Sequence, residues 1–274
     1  MGEKLNIHGR AQTKYAENYI IFPTSCQVLP FCLRLTLRCG TMGTRKMGKE
    51  NTAMKLYELL QVKPGVTALM GSGGKTSLMY HLAGELSKKH KVLLATTTHI
   101  RVPDHIPLAT TREELDSLFA QRNVVCAGTL SEEGKLTAPT FEGWETAAEY
   151  VLVEADGSRN LPLKAHADHE PVIPAGCQNT ICVVGASGFH QPMRMVCHRP
   201  ELYMKLAECS EMTKITPEMA AKVLAAEGGF DRVFVNQTDT LSKFLGKATV
   251  KEFARALKMP TVAGSLRQGM FYKV

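Results

Sequence analysis

From Met54 onward, short apolar runs alternate with longer stretches whose apolar residues recur at helical spacing. This alternation predicts βαβ units around a parallel sheet, because each helix must cover a face of the strands that it connects. The runs that predict strands are 66–70, 91–97, 123–128, 150–156, 180–186, 232–237 and 260–265. The stretches that predict helices are approximately 75–89, 112–122, 142–149, 199–208, 216–227 and 249–258. The expected fold is therefore an open, doubly wound α/β domain with helices on both faces of a mainly parallel sheet, and with its ligand at the carboxyl ends of the strands.

The chain has a formal net charge of +7 over 274 residues, but the charge is unevenly distributed. Residues 1–53 hold eight Lys and Arg against three Asp and Glu, a net of +5, which leaves +2 for the rest. A nearly neutral body does not favour nucleic acid, which is bound by clustered basic residues and stacking aromatic side chains. A small, locally bound anion is the expected partner. The eight cysteines include no CxxC pair, so we expect a reduced, cytoplasmic protein without a zinc ribbon.

Residues 1–53 differ from the rest of the chain because they show no amphipathic period. Their apolar stretch at 20–37 contains prolines and arginines and follows a long polar segment, so it is a poor membrane span or secretory signal. We expect a poorly ordered tail, or sequence upstream of a truer start at Met54. A targeting or interaction segment is the alternative. Residues 54–274 are expected to form one domain that binds no membrane.

The most specific motif is the glycine-rich turn MGSGGKTS between the first predicted strand and the first predicted helix. Such a turn points backbone N–H groups at one place, where the positive end of a helix dipole adds to them, and this combination binds phosphate. The pattern GxxxxGK[ST] would require glycine at Leu69, so what remains is GxxGKT, a shortened variant similar to that of Mur-type ligases. A turn that binds nothing is the alternative. The residues expected to bind nucleotide here are Gly71, Ser72, Gly73, Gly74, Lys75, Thr76 and Ser77.

Two carboxylates close the predicted strand 150–156 and share one face of it, namely Glu154 and Asp156. An acid at the end of a strand beside a phosphate-binding loop is typical of the Walker B arrangement, which predicts a P-loop NTPase-like fold and a bound Mg²⁺. We expect Asp156 and the Thr76 hydroxyl to hold the ion, and Glu154 to position a nucleophile. With Lys75, which neutralises the phosphates, these two acids are the expected catalytic residues. A solvated strand end or a helix cap is the alternative.

A third motif, NQTD at 236–239, follows the predicted strand 232–237. P-loop GTP-binding proteins carry their base-reading NKxD motif at a similar place, and a carboxylate there accepts hydrogen bonds that guanine offers and adenine does not. Asn236, Gln237 and Asp239 are therefore expected to bind the base. Gln237 stands where lysine is usual, and Asn-x-x-Asp is also common turn chemistry, so ATP and GTP both remain open.

Two further segments carry weaker signals. TTTH at 96–99 closes a predicted strand and could contact phosphate, Mg²⁺ or substrate, or could be an ordinary polar strand end. The proline-bounded loop at 162–174 contains His166 and His169, which could bind metal or substrate, although histidines in loops are more often solvated.

These motifs together resemble the selenium-dependent hydroxylase accessory proteins of the YqeC type. The resemblance covers about Met54 to Val274 and is most specific in VEADGSRNLPLKAHADHEPVIP, supported by GSGGKTS, TTTHI, HRPE at 198–201 and NQTD. It implies an accessory role in the maturation of a selenium-dependent molybdenum hydroxylase. The partners that it implies are the hydroxylase or its cofactor-maturation proteins.

The leading hypothesis is a Mg²⁺-dependent nucleoside triphosphatase that serves this maturation and binds ATP or GTP. One alternative is an ATP-dependent ligase or kinase that acts on a small cofactor precursor. Another is a nucleotide-gated chaperone without significant turnover.

Overall fold

The computed structural model describes residues 54–274, and the expectations for residues 1–53 lie outside the described residues. The α-helices of the described part are α1 (Leu56–Leu59), α2 (Lys75–Leu86), α3 (Arg112–Phe119), α4 (Met193–Val196), α5 (Pro200–Ala207), α6 (Pro217–Glu227) and α7 (Gly246–Leu257). Single turns of 3₁₀ helix lie at Trp144–Thr146, Ala186–Gly188 and Thr238–Thr240. Within this part of the chain, no helix is both long enough and apolar enough to traverse a bilayer.

Nine strands form one central sheet. In chain order, the strands of the described part are β1 (Gly65–Gly71), β2 (Val92–Thr96), β3 (Ile100–Arg101), β4 (Leu108–Ala109), β5 (Val124–Ala127), β6 (Thr129–Leu130), β7 (Lys135–Thr137), β8 (Tyr150–Glu154), β9 (Leu163–Lys164), β10 (Cys177–Gly185), β11 (Cys197–His198), β12 (Arg232–Asn236), β13 (Thr261–Ser265) and β14 (Met270–Lys273). The order in the central sheet is β14-β13-β12-β10-β1-β8-β2-β5-β4. All neighbours in it are parallel except β13 and β14, which are antiparallel. This mostly parallel sheet confirms the predicted fold class and is consistent with a P-loop NTPase-like fold.

Helices cover both faces of the sheet, so its strands are buried on both sides. On β8, Leu152 belongs to the apolar cluster that includes α1 and α2, whereas Val151 and Val153 belong to the cluster that includes α3. On β10, Cys182 and Val184 pack in the cluster of α6 and α7. Burial on both faces explains why these strands read in the sequence as continuous apolar runs instead of alternating ones.

All seven predicted strands are present, and five of the six predicted helices are present, four with shorter bounds and α7 with a start three residues earlier than predicted. The helix expected at 142–149 is wrong, because this segment contains only the 3₁₀ turn Trp144–Thr146 before β8 begins at Tyr150. Gly143 precedes that turn with a left-handed φ of 72°, and Trp144 is buried in the core. A single buried aromatic residue therefore anchors the connection.

β1 lies in the middle of the sheet, between β8 and β10. The carboxyl end of β1 leads into the glycine-rich turn, and that of β8 carries Glu154. The register places Glu154 beside Leu69 of β1 and beside Thr96 of β2. Parallel pairing thus brings the predicted phosphate loop, the acidic strand end and the TTTH segment to one edge, where open α/β sheets bind their ligands.

Candidate functional site

The segment Gly71–Ser77 joins β1 to α2 by a turn that only glycines can form. Gly71, Gly73 and Gly74 have φ angles of 90°, 79° and 118°, in the region that side chains rarely adopt. A Cβ on Gly73 would lie 2.3 Å from the backbone nitrogen of Gly185 in β10. The turn is therefore pressed against the neighbouring strand, and its shape depends on the missing side chains.

The start of α2 offers a group of open backbone donors. Within residues 54–274, the N–H groups of Gly74, Lys75, Thr76 and Ser77 have no hydrogen-bond acceptor. The first N–H groups of any helix lack an intrahelical partner, and here they coincide with the positive end of a 12-residue helix. Such a group of donors is a ready anion site.

The preceding N–H groups of the turn are already used inside the protein. The Gly71 N–H donates to Asp156 Oδ2 at 2.7 Å, and the Gly73 N–H donates to the Leu161 carbonyl at 3.2 Å. Ser72 is buried, and its hydroxyl donates to the Pro162 carbonyl at 2.8 Å. Ser72 therefore fixes the turn from inside, and the open donors are confined to residues 74–77.

The Lys75 side chain is buried among acceptors at the edge of the sheet. Its Nζ donates to the Gly71 carbonyl at 2.7 Å and lies 3.0 Å from Asp156 Oδ1 and 3.7 Å from Glu154 Oε1. It also lies 3.4 Å from the Ser158 hydroxyl. The structure thus brings together all three side chains that the sequence predicts to be catalytic, with the ammonium between the two carboxylates.

Thr76 and Glu154 form a cluster of oxygen atoms beside the open donors. The Thr76 hydroxyl donates to Glu154 Oε2 at 2.6 Å. Burial raises the pKa of Glu154 above its ordinary value, although Lys75 and Thr76 act in the opposite direction. Hydroxyl and carboxylate oxygens suit Mg²⁺, which usually takes one or two protein ligands and completes its shell with water and phosphate oxygens. The described residues contain no group of three or more His, Cys, Asp or Glu that could hold a metal ion.

Asp156 is fully buried and surrounded by positive charge. Besides Lys75 and the Gly71 N–H, its oxygens lie 3.1 Å from Lys164 Nζ and 2.6 Å from His166 Nε2. Burial opposes ionisation, but the His166 hydrogen bond and the two ammonium groups outweigh it and hold the pKa of Asp156 well below its ordinary value. Three cationic partners leave little reason for a Mg²⁺ ion to bind here. The geometry favours Glu154, which contacts Thr76, over Asp156 as the acid that faces a metal.

His166 bridges two carboxylates. Its Nε2 contacts Asp156, and its Nδ1 lies 2.8 Å from Glu227 Oε2, whose other oxygen accepts the backbone N–H of His166. Burial lowers the pKa of His166, but the hydrogen bonds to Asp156 and Glu227 outweigh this effect and raise the pKa above its ordinary value. Each ring nitrogen therefore already has a carboxylate partner. In this arrangement His166 is neither a free metal ligand nor a solvated loop histidine. Glu227 ends α6, 61 residues away in the chain, and no sequence signal connects the two.

Lys164 extends this ion network toward α5. Its Nζ donates to Glu170 Oε2 and to the Gly157 carbonyl, both at 2.6 Å. Glu170 also accepts a hydrogen bond from Arg199. Burial would raise the pKa of Glu170, but the contacts with Arg199 and Lys164 outweigh it and lower the pKa to about 2. His169 is exposed, as expected of a loop histidine, and lies 3.4 Å from Arg199.

The NQTD segment adjoins the phosphate loop, but its residues differ in what they can do. Asn236 is buried, donates from Nδ2 to the Gly73 carbonyl at 2.9 Å and accepts the Leu266 N–H at 3.1 Å. Gln237 accepts a hydrogen bond from the Ser187 hydroxyl at 2.6 Å. Asp239 is partly exposed, and its carboxylate has no hydrogen-bond or ion-pair partner within the described part of the chain. Asn236 thus braces the loop, and Asp239 is the member of the motif that is open to a ligand.

The TTTH segment mainly satisfies the backbone around it. The Thr96 hydroxyl donates to the Glu154 carbonyl at 2.9 Å, and the Thr97 hydroxyl donates to the Val172 carbonyl at 2.6 Å. His99 is exposed. These contacts favour the polar strand end over a direct ligand role for the first two threonines.

Comparison with known proteins places these features in a family. The family model described as YqeC protein matches residues 67–201. The uncharacterized protein YqeC of Escherichia coli (strain K12) is 31% identical over 191 residues, which make up 63% of this chain and 73% of that protein. The chain belongs to the YqeC family. The resemblance inferred from the sequence motifs is thereby confirmed.

The part that matches the YqeC family model contains most of the site. It begins within β1 and includes the phosphate loop, both acids of the β8 end and the cationic residues of the ion network up to Arg199. Glu227 and the NQTD segment lie beyond it. The YqeC match thus covers the glycine-rich turn and, apart from Glu227, the ion network, but not the NQTD segment.

Proposed function

We propose that this protein is a Mg²⁺-dependent nucleoside triphosphatase whose phosphate site is the start of α2. The observation that carries the proposal is the group of four open N–H donors at residues 74–77, with Lys75, Thr76 and Glu154 around it. Backbone donors, a helix dipole and a lysine together complement the charge of a triphosphate. A glycine-rich turn without a ligand would not require this concentration of donors and buried charges.

In this proposal, the chain positions the nucleotide chiefly by electrostatics. The N–H groups hold the phosphates, Lys75 neutralises them, and Thr76 and Glu154 hold the Mg²⁺ ion. When bound, Mg²⁺ would neutralise charge on the phosphate oxygens during transfer to water. Glu154 thus takes the metal role that the sequence motif suggested for Asp156, and Asp156 instead fixes Lys75 and the Gly71 N–H in place.

Asp239 is the candidate for base recognition. Its open carboxylate could accept hydrogen bonds from the N1–H and N2–H₂ groups of guanine, which adenine lacks. Asn236 would act indirectly, through the Gly73 carbonyl that it binds. ATP and GTP are therefore both candidate nucleotides.

The cellular role that we propose is in the maturation of a selenium-dependent molybdenum hydroxylase. Support comes from membership of the YqeC family and from the resemblance of the motifs to the accessory proteins of such hydroxylases. The partners would be the hydroxylase itself or proteins that mature its cofactor, in the cytoplasm.

The test is calorimetric titration of the full chain with non-hydrolysable ATP and GTP analogues, with and without Mg²⁺, alongside phosphate release from ATP and GTP. Lys75→Met keeps the volume of the side chain and removes its charge, so we expect it to abolish binding. Lys89→Met, at an exposed residue beyond the other end of α2, is the matched control and should bind normally. Absence of binding by the unaltered protein would contradict the proposal. Tight binding without phosphate release would favour a nucleotide-gated chaperone instead.

A further inference from the structure

A strained turn lies directly against the phosphate loop, immediately after the acidic end of β8. The Leu161 N–H donates to the Ser158 carbonyl at 3.0 Å, which closes a four-residue turn with Arg159 and Asn160 at its centre. Both central residues have positive φ angles, 48° and 61°. This is the pattern of a type I′ turn, which favours Asn, Asp and Gly at its centre.

Both ends of this turn are fixed to the phosphate loop. The Ser158 hydroxyl accepts a hydrogen bond from Lys75 Nζ, and the Leu161 carbonyl accepts the Gly73 N–H. The turn therefore lies beside the loop, with its ends held at Gly73 and at the Lys75 ammonium. Its two central residues are therefore held beside the glycine-rich turn.

Arginine at the centre of such a turn is costly. A left-handed conformation costs about 1–2 kcal/mol for an ordinary residue, whereas Asn and Gly tolerate it. Strain of this kind persists where the surrounding structure enforces it, and it is found preferentially at functional sites. Seven other non-glycine residues of the described part also have a positive φ, so the strain at Arg159 gains weight only from its place beside the loop.

The guanidinium of Arg159 has no acidic partner in the described part of the chain, so its charge could bind a ligand. Among the cationic side chains near the loop in the described part of the chain, Lys75, Lys164 and His166 are each paired with buried carboxylates. Arg159 is exposed and makes no hydrogen bond or ion pair within residues 54–274. A triphosphate carries more negative charge than one paired lysine and one Mg²⁺ ion neutralise, and a planar guanidinium is well suited to phosphate oxygens.

We propose that Arg159 contacts the terminal phosphate of the bound nucleotide and stabilises the charge that develops on it during transfer. This inference rests on the proposed function, because it requires a triphosphate at the start of α2. It adds an arginine supplied by the chain itself, which no motif in the sequence indicates. In phosphoryl-transfer enzymes, such a group acts on the transition state more than on the bound diphosphate.

The experiment compares unaltered full chain, Arg159→Asn, Arg159→Lys and Arg255→Asn. Arg255 is an exposed arginine in the last turn of α7, which approaches the opposite edge of the sheet, so its variant is the matched control. Affinities for a non-hydrolysable triphosphate and for the diphosphate are measured with Mg²⁺, together with phosphate release and thermal unfolding.

For Arg159→Asn we expect triphosphate affinity to fall about tenfold and phosphate release to fall further, since a hydrogen bond to a charged group is lost. Diphosphate affinity should change by less than about threefold, because the lost contact is to the terminal phosphate. The unfolding midpoint should stay the same or rise by about 2 °C, because Asn relieves the strain of the turn. Arg159→Lys should retain part of the triphosphate affinity. Lower activity with unchanged or higher stability is a result that a merely structural role would not give.

The outcomes separate the two proposals. If the unaltered protein binds no nucleotide, the proposed function fails and this inference fails with it. If Lys75→Met loses binding while Arg159→Asn matches the unaltered protein in triphosphate affinity and phosphate release, only the role of Arg159 is overturned. Equal losses of diphosphate and triphosphate affinity in Arg159→Asn would also overturn it.

Discussion

The phosphate loop and the ion network around Asp156 adjoin each other but are built in opposite ways. The loop consists of consecutive residues, Gly71–Ser77, and its shape follows from local backbone chemistry. The network consists of dispersed side chains that meet only after folding: Lys75, Asp156, Lys164, His166, Glu170, Arg199 and Glu227. Lys75 belongs to both. The loop supplies open donors, whereas the network uses up its own charges and holds the loop in position.

The two regions also differ in the energies on which they depend. The loop requires positive φ angles and close backbone contact, both of which a side chain would oppose. The network requires buried charges to remain paired, because an unpaired buried charge is much more costly than the pair. Substitutions in the two regions should therefore destabilise the protein for different reasons.

The largest expected effect is that of Asp156→Asn in the network. The change leaves Lys75, Lys164 and His166 without their shared partner in a buried environment. We expect the free energy of unfolding to fall by about 3–5 kcal/mol, measured by denaturant titration. Asp116→Asn is the control, since Asp116 forms an exposed pair with Arg112 and should matter by less than about 1 kcal/mol. Similar small effects for both variants would show that the network is not a structural centre.

The next effect is that of Gly73→Ala in the loop. A Cβ there would lie 2.3 Å from the Gly185 nitrogen, and the φ of 79° would be strained for alanine. We expect a loss of about 2–4 kcal/mol from overpacking and strain, together with loss of nucleotide binding.

Gly84→Ala is the matched control for this prediction. Gly84 lies on α2, and a Cβ there meets nothing within 4 Å. This variant should stabilise the protein by about 1 kcal/mol, because alanine is the better helix former. If the two variants behave alike, the loop does not depend on the close approach of its backbone to β10.

A smaller, pH-dependent effect should distinguish the network from the loop. Since the contacts with Asp156 and Glu227 raise the pKa of His166 in the folded state, its protonated form stabilises the fold. This stabilisation is fully present below the unfolded pKa of about 6.5 and is lost as the pH rises through the higher folded pKa, by about 1.4 kcal/mol for each unit of the shift. The stability difference between the unaltered protein and His166→Gln should therefore be constant below pH 6.5 and shrink above it, as measured by unfolding at a series of pH values.

His105→Gln, at an exposed histidine, is the matched control variant. A difference for His166→Gln that does not vary with pH would mean that the imidazole is held neutral.

What the sequence predicted follows the same division between local and dispersed features. The strands, the phosphate turn and the proximity of Glu154 to the loop could be predicted, because periodicity, glycine spacing and parallel pairing are local or topological rules. The contact of His166 with Glu227 could not be predicted, since nothing in the sequence specifies that a loop side chain pairs with the end of a helix 61 residues away. The motif assigned the ion to Asp156 and the nucleophile to Glu154, and these roles stay predictions. Which carboxylate meets Thr76 and which is enclosed by cations is visible only in the three-dimensional structure.

The smallest expected effect on stability, and the sharpest on specificity, is that of Asp239→Ala. Asn236 and Asp239 are three residues apart, yet Asn236 is buried against the loop and the Asp239 carboxylate has no partner within the described residues. Removing Asp239 should therefore change the free energy of unfolding by less than about 0.5 kcal/mol, as for other exposed sites. If the protein prefers GTP, affinity for the GTP analogue should fall by about tenfold or more, since guanine donors lose their acceptor, while affinity for the ATP analogue should stay unchanged. Asn236→Ala should instead weaken the binding of both nucleotides, because it loosens the loop that would hold their phosphates. Equal affinities for both analogues before and after Asp239→Ala would mean that the end of β12 supports the phosphate loop and does not read the base.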